Sequence, residues 1–254
     1  MDALERLVTN AETLLKEGYY DVRGETDRSP SFLDALSAPT RTSDVVSELK
    51  FASPTMRSQK AAHFDAILER IVAANPLGLS VVAEPRIFGG NIDFVSRAAR
   101  TGLPVLMKDI VVDSRQIDAA ALCGASALLL IETLALRGHF HRRMPMLIDE
   151  AHDRKVGVLL EVHTLEEWDA AVETSADILG INNRNLATMA IDLGTTPRIL
   201  AERVKDRPVI AMSGIETRGQ VETMLRAGAD AVLVGTSIIR HDEPARKLQE
   251  LQHG

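Results

Sequence analysis

The sequence predicts a single (β/α)8 barrel of the TIM class, preceded by an N-terminal helical extension. Three observations carry that prediction. Short apolar runs alternate with amphipathic helical segments at a period of roughly 26 residues, which argues for a parallel sheet. Eight such units fill residues 43–254, and no GxGxxG turn follows the first run, so a closed barrel is favoured over an open doubly wound sheet. The runs also end on polar or charged residues. In Leu103-Pro104-Val105-Leu106-Met107-Lys108-Asp109 a lysine, costly to bury, stands at a strand's carboxyl end, where its ammonium can point into a cleft.

Residues 2–16 place Leu4, Leu7, Val8, Ala11, Leu14 and Leu15 at helical spacing, and Gly18-Tyr19-Tyr20 ends that helix. The stretch 21–41, rich in Ser, Thr, Pro and charge, reads as a connecting arm with one helical turn around Phe32-Leu33. Together they form the extension, residues 1–42, within one domain spanning 1–254.

From Ser43 the alternation begins. The first strand is Val45–Lys50, followed by the loop Ser53-Pro54-Thr55 and a helix over Lys60–Ala74. Leu79–Glu84 is the second strand and Ile92–Arg100 its helix. After the third strand, Pro104–Lys108, Ser114 caps a helix that runs to Cys123 and closes on Gly124. The fourth strand is Ala127–Ile131, with a helix over Pro145–Asp153. The fifth is Gly157–Val162, and Thr164 with Glu167 makes a capping box for the helix after it. Ile178–Asn182 precedes a helix over Pro197–Val204, and Pro208–Met212 precedes one over Arg218–Ala227. Ala231–Gly235 is the eighth strand, and a helix over Pro244–Leu251 ends the chain.

Composition narrows the function classes. With 45% hydrophobic and 26% charged residues, 254 residues can bury a sizeable core. One cysteine, Cys123, excludes a disulfide framework and fits a reducing cytoplasm. No apolar run approaches the roughly 20 residues of a membrane span, and the N-terminus lacks a signal-peptide pattern. A net charge of −7 argues against general nucleic-acid binding, so an anionic ligand needs a local positive pocket.

A barrel gathers its chemistry at the carboxyl ends of its strands. Glu48 and Lys50, two apart, face one side of the first strand. Lys108, Glu161 and Asn182 end the third, fifth and sixth strands, with Arg184 just beyond. Acid, base and anion-binding groups converging on one mouth suit proton-transfer catalysis, where solvated loop charges are the plain alternative. Ser213-Gly214 and Gly235-Thr236-Ser237 follow the seventh and eighth strands, where such barrels often hold phosphate on backbone N–H groups. His139-Phe140-His141 has no partner cluster at ligand spacing and is expected at the surface. Trp168, Met144 and Met146 read as packing residues.

These motifs together resemble the indole-3-glycerol-phosphate synthase family, barrel enzymes of tryptophan biosynthesis. Glu48-Leu49-Lys50-Phe51-Ala52-Ser53-Pro54 resembles the family signature. Phe88-Gly89-Gly90, Leu106-Met107-Lys108-Asp109, Leu159-Leu160-Glu161-Val162-His163, Gly180-Ile181-Asn182-Asn183-Arg184-Asn185-Leu186, Ser213-Gly214-Ile215 and Val234-Gly235-Thr236-Ser237 follow in the family's order. The resemblance covers Ser47 to the C-terminus, and the helical arm is similar to the family's extension.

The resemblance implies ring closure of 1-(2-carboxyphenylamino)-1-deoxyribulose 5-phosphate with loss of CO₂ and water, by a carboxy-lyase needing no cofactor and no metal. It implies Lys108 as general acid, Glu161 as proton acceptor, Glu48 as a positioning group, and Lys50 as the holder of anionic groups that assists dehydration. Ser53, Phe88, Asn182 and Arg184 would contact substrate; Ser213, Gly214, Gly235 and Thr236 would hold its phosphate. The expected partner is a small sugar phosphate, with neither nucleic acid nor membrane. A cytoplasmic monomer is expected, with contacts to other tryptophan-pathway enzymes left open.

Three departures from the family pattern stand out. Met212 replaces a glutamate before the Ser-Gly of the seventh strand, Ile110 replaces an aromatic, and Thr55-Met56 replaces Ser-Lys. A thioether can neither relay a proton nor accept a strong hydrogen bond. Two rival readings follow: another phosphate-binding barrel enzyme, an isomerase or Schiff-base aldolase using Lys108, or a sugar-phosphate-binding barrel without turnover.

Overall fold

The computed structural model describes residues 2–53, 56–57, 59–139 and 143–253, with the side chains of residues 53, 56, 57, 59 and 60 outside that description. Eight parallel strands close into a barrel: β1 (Val45–Leu49), β2 (Gly78–Val82), β3 (Val105–Lys108), β4 (Ala127–Ile131), β5 (Gly157–Val162), β6 (Ile178–Asn182), β7 (Val209–Met212) and β8 (Ala231–Val234). Each pairs with its neighbours in sequence, and β1 closes the ring on β8 through Val46↔Leu233 and its flanking pairs. The expected barrel is what forms.

Alternation along each strand sorts side chains into two packed shells. Outward residues such as Leu79, Val81, Leu128, Leu130, Val158 and Leu160 pack under the surrounding helices. Inward residues, among them Val46, Leu106, Leu129, Leu159, Ile210 and Leu233, fill the barrel itself. Burying each large aliphatic side chain contributes about 1.5–3 kcal/mol, so the two shells supply the main drive for closure.

Helix α1 (Ala3–Lys16) begins with a capping box between Asp2 and Glu5 and buries the six apolar residues that its sequence places on one face. That face joins the same cluster as Ile110, Val112 and Leu134, so α1 lies against the barrel's carboxyl end near β3 and β4. The arm then crosses to the opposite end: Thr26 and Ser29 donate backbone N–H bonds to Leu122 and Gly124. The one expected helical turn is α2 (Phe32–Ser37), capped by Ser31. Its Phe32 ring abuts Gly78 at the start of β2 and closes the barrel's floor.

The remaining helices are α3 (Phe64–Ala73), α4 (Ile92–Ala99), α5 (Ser114–Leu122), α6 (Glu132–Leu136), α7 (Met144–Asp153), α8 (Leu165–Val172), α9 (Thr195–Glu202), α10 (Arg218–Arg226), α11 (Thr236–Arg240) and α12 (Pro244–His253). The structure revises several boundaries. The expected helix over Lys60–Ala74 is α only from Phe64, after a 3₁₀ segment Gln59–His63. β2 ends at Val82, leaving Glu84 in the loop. The cap of α5 is Asp113, whose carboxylate and Gln116 make a capping box; Ser114 is the first helical residue. Thr164 caps α8, but Glu167 reaches past it to the N–H of His163, so the expected reciprocal box does not form. Helix α9 starts two residues before Pro197, which the helix tolerates in its first turn, where no N–H is needed. The short helices α6 and α11 have too few residues for a periodic signal and were not expected.

Trp168 and Met144 are buried as expected, whereas Met146 is half exposed on α7. Phe140 and His141 lie outside the described residues. Among the described residues no helix is long and apolar enough to cross a membrane.

Candidate active site

Residues of the odd-numbered strands build the mouth. One step above the apolar layer of Val46, Leu106, Leu159 and Ile210, the same strands present Glu48, Lys108, Glu161 and Met212. Lys108 Nζ stands at their centre: 3.6 Å from Glu48 Oε1, 3.8 Å from Glu161 Oε2 and 3.5 Å from Met212 Sδ. Both carboxylates attract the ammonium electrostatically, yet neither is within the roughly 2.7–3.2 Å of a hydrogen bond. Lys108 is therefore held in place by charge, and its hydrogen bond to the Met212 thioether is a weak one.

Glu48 and Glu161 have different partners. Lys50, one residue beyond the end of β1, sits with Nζ 2.8 Å from Glu48 Oε2. Burial opposes charge on Glu48, but the adjacent Lys50 and Lys108 ammoniums outweigh it and hold the carboxyl below its ordinary value. Glu161 Oε1 instead accepts the amide of Asn182 at 2.7 Å, from the neighbouring strand β6. One carboxylate is neutralised by a lysine and the other is oriented by a neutral amide.

Beyond β6, Arg184 is half-buried, and its N–H donates to Asn182 Oδ1 at 2.9 Å. Its guanidinium reaches the carbonyl of Met189 at 3.0 Å, and burial lowers its pKa, which Glu48 partly offsets. A partly desolvated cation beside the mouth is suited to a carboxylate or phosphate.

The loops after β7 and β8 form the other wall. Ser213 and Gly214 both take positive φ, 70° and 79°. The Ser213 carbonyl accepts Asn183 Nδ2 at 3.2 Å, while Asn183 Oδ1 accepts both N–H and Oγ1 of Thr196. Asn183 thus ties the loops after β6 and β7 to α9, a role with no local signature. Thr236 opens α11 with Gly235 as its cap residue and no side-chain cap hydrogen bond. Gly235 has a second reason to be glycine: a Cβ there would come within 2.4 Å of Glu48 Oε2. Met212 fills space in the same way, its Cε lying 2.5 Å from where a Gly180 Cβ would be.

Phe88, in the loop after β2, is half-buried against the barrel-interior cluster, as is Ile87. Ile110, two residues after Lys108, is buried in the same cluster. Ser53 lies in a two-residue ladder with Met56, and its side chain is outside the described residues. The structure therefore brings Glu48, Lys50, Lys108, Glu161 and Asn182 together, sets Arg184 one hydrogen bond away, places Phe88, Ser213, Gly214 and Gly235 on surrounding loops, and puts Thr236 at the start of α11. Among the described residues no group of three His, Cys, Asp or Glu side chains is set to hold a metal ion.

Sequence reasoning missed Glu84, Tyr19 and Tyr20. Tyr20 O–H donates to Asp109 Oδ2 at 2.8 Å, next to Lys108 in sequence, and burial pushes the Asp109 carboxyl up to about 7. The only sequence signal was that polar groups end an apolar helix or strand.

Comparison with known proteins places these observations. The family model for indole-3-glycerol phosphate synthase matches residues 7–251. The indole-3-glycerol phosphate synthase of Haloarcula marismortui is 36% identical over 214 residues, 84% of this chain and 77% of that protein. That of Pyrococcus abyssi is 34% identical over 213 residues, 81% and 89% of the two chains. That of Staphylococcus aureus strain JH1 is 28% identical over 259 residues, 99% and 98% of the two chains. Among solved structures, 3-hexulose-6-phosphate synthase from Salmonella typhimurium superposes with a TM-score of 0.61 at 14% identity, over 82% of this chain and 96% of that one. N-acetylmannosamine-6-phosphate 2-epimerase from Clostridium perfringens gives 0.60 at 15% identity, over 85% and 93%. At such identities these two show the barrel fold alone.

Proposed function

The chain belongs to the indole-3-glycerol phosphate synthase family, and on that premise we propose that it acts as a carboxy-lyase on 1-(2-carboxyphenylamino)-1-deoxyribulose 5-phosphate. It is an enzyme of tryptophan biosynthesis. The observation that carries the proposed mechanism is Lys108 Nζ, ringed at 3.5–3.8 Å by Glu48, Glu161 and Met212, with a weak hydrogen bond to the thioether to exchange for one to substrate.

In this reading the aromatic carbon bearing the carboxylate attacks the ketone, and Lys108 gives a proton to the developing alkoxide. The carboxylate then leaves as CO₂, its bonding electrons returning to the ring. Dehydration follows: the new hydroxyl departs as water with a proton from Lys50, and Glu161 accepts the proton released as the indole forms. Glu48 holds both lysines toward the substrate. Asn182 fixes Glu161, and Arg184 binds substrate oxygens. Phe88 and Ile110 line the aromatic ring. The N–H groups around Ser213, Gly214, Gly235 and Thr236 receive the phosphate. The chemistry moves protons and one carboxyl group, so no electron carrier is needed. We take the enzyme to work in the cytoplasm without nucleic acid, membrane or resident cofactor, which suits its single buried cysteine, Cys123.

The test is direct. Incubating the purified chain with the carboxyphenylamino substrate should give the rising fluorescence of an indole product. A chain that binds substrate and forms no product would overturn the reading, and an imine trapped on Lys108 by borohydride would replace it with Schiff-base chemistry.

A further inference from the structure

The loop after β2 is organised by a group that has no part in the chemistry above. Glu84 lies two residues past β2 and is 1% exposed. Its Oε1 accepts the N–H of Arg86 at 2.7 Å and the side-chain amide of Asn10, on α1, at 2.8 Å. Its Oε2 accepts the N–H groups of Ile87 and Phe88, each at 2.7 Å. A carboxylate offers about four acceptor sites, and here four donors meet them. Glu84 is thereby occupied as a hydrogen-bond acceptor and has no lone pair left for proton transfer.

The consequence falls on Phe88. Three consecutive backbone N–H groups converging on one carboxylate fix the turn Arg86–Phe88, through charge-assisted bonds stronger than neutral ones. The carbonyl of Phe88 in turn accepts the N–H of Ala52 at 2.8 Å, tying the turn to the segment that follows Lys50. From the N-terminal side, Tyr19 O–H donates to the Ala83 carbonyl and accepts the N–H of Ile92, bracketing the loop at both ends. Arg86 also pairs with Glu17, just past α1. The N-terminal extension thus holds this loop at several points, and Glu84 is where its grip reaches the turn carrying Phe88.

We propose that Glu84 is a positioning residue for substrate binding: held by Asn10 of the N-terminal helix, it sets Phe88 at the barrel mouth. The proposal rests on the synthase reading, since it is read through the Michaelis constant of that substrate. Binding at the apolar wall should suffer when the clamp is broken, while proton transfer at Lys108 should not.

Asn10 is the residue to change, because it is half-buried and stands outside the mouth. Asn10→Asp places a second carboxylate against Glu84 in place of a donor, which repels it. The expected result is a KM raised roughly fivefold with kcat within about twofold of wild type, the pattern of lost binding rather than lost chemistry. In a Phe88→Ala background, Asn10→Asp should raise KM no further, because the two act in series. An unmoved KM in Asn10→Asp, or a full additional rise on Phe88→Ala, would each overturn the proposal while leaving the synthase reading intact. If the wild type forms no product, the synthase reading fails instead. The clamp is then read from amide hydrogen exchange at residues 86–88, which Asn10→Asp should speed; unchanged exchange there overturns it too.

Discussion

Replacing Lys108 tests the mechanism at its centre. The lysine side chain is 19% exposed and faces two carboxylates at 3.6 and 3.8 Å. At an effective dielectric of about 20 each attraction is worth about 4–5 kcal/mol before desolvation is subtracted. That attraction stays largely within the protein, so it holds the ammonium in place and contributes little to holding the substrate. Lys108→Ala leaves Glu48 paired with Lys50 at 2.8 Å and Glu161 bonded to Asn182 at 2.7 Å, so the mouth keeps its other members. Loss of a positioned proton donor should lower kcat by about 10²–10⁴-fold, equivalent to roughly 3–5 kcal/mol in the barrier. The substrate dissociation constant, measured by calorimetry on the slow variant, should change far less than kcat. Lys108→Arg separates charge from proton donation: its guanidinium keeps the positive charge but does not give up a proton near neutrality. It should remain nearly as slow as Lys108→Ala. A Lys108→Ala enzyme with near wild-type kcat would refute the assignment. Full recovery in Lys108→Arg would reduce the role of Lys108 to electrostatics.

Three further outcomes are expected. Met212→Glu should fold and raise kcat/KM, because a carboxylate at this fully buried position faces Lys108 from the place where Met212 Sδ sits at 3.5 Å. A variant that is slower and melts well below wild type would show instead that the pocket is built around an apolar side chain. Activity should survive EDTA; loss restored by a divalent ion would count against a metal-free reaction. Asp109, pushed up to about 7 by burial, keeps its proton in the folded chain while the unfolded chain loses it near 3.8. Between those values the folded state binds more protons, so stability should fall as pH rises through that window, at up to about 1.4 kcal/mol per pH unit from this group. Asp109→Asn should flatten that part of the stability-versus-pH curve, as read by denaturant melts from pH 4 to 7. An unchanged slope would refute the buried-acid account.

The sequence by itself determined the period, and the period determined the barrel. Alternating apolar runs and amphipathic helices can bury both faces of a parallel sheet only with helices outside it. The same local pattern put Glu48, Lys108, Glu161 and Asn182 on the inward side at strand ends, because side-chain direction alternates by residue and needs no knowledge of the fold. Helix α1 was legible for the same reason. Which groups touch is a different matter. Lys108 meets Glu48, Glu161 and Met212 only because closure brings alternate strands into one layer, and strand register across a closed ring is a property of the whole sheet. Glu84 looked like the end of a strand; it became a turn's anchor once β2 stopped at Val82 and α1 delivered Asn10 from 74 residues away. Asn183 and the pair Tyr20–Asp109 likewise join segments distant in sequence, and polar side chains carry no periodic signal of the partner they will find. Local chemistry fixed the residue types at the mouth, and tertiary closure decided their distances, partners and charge states.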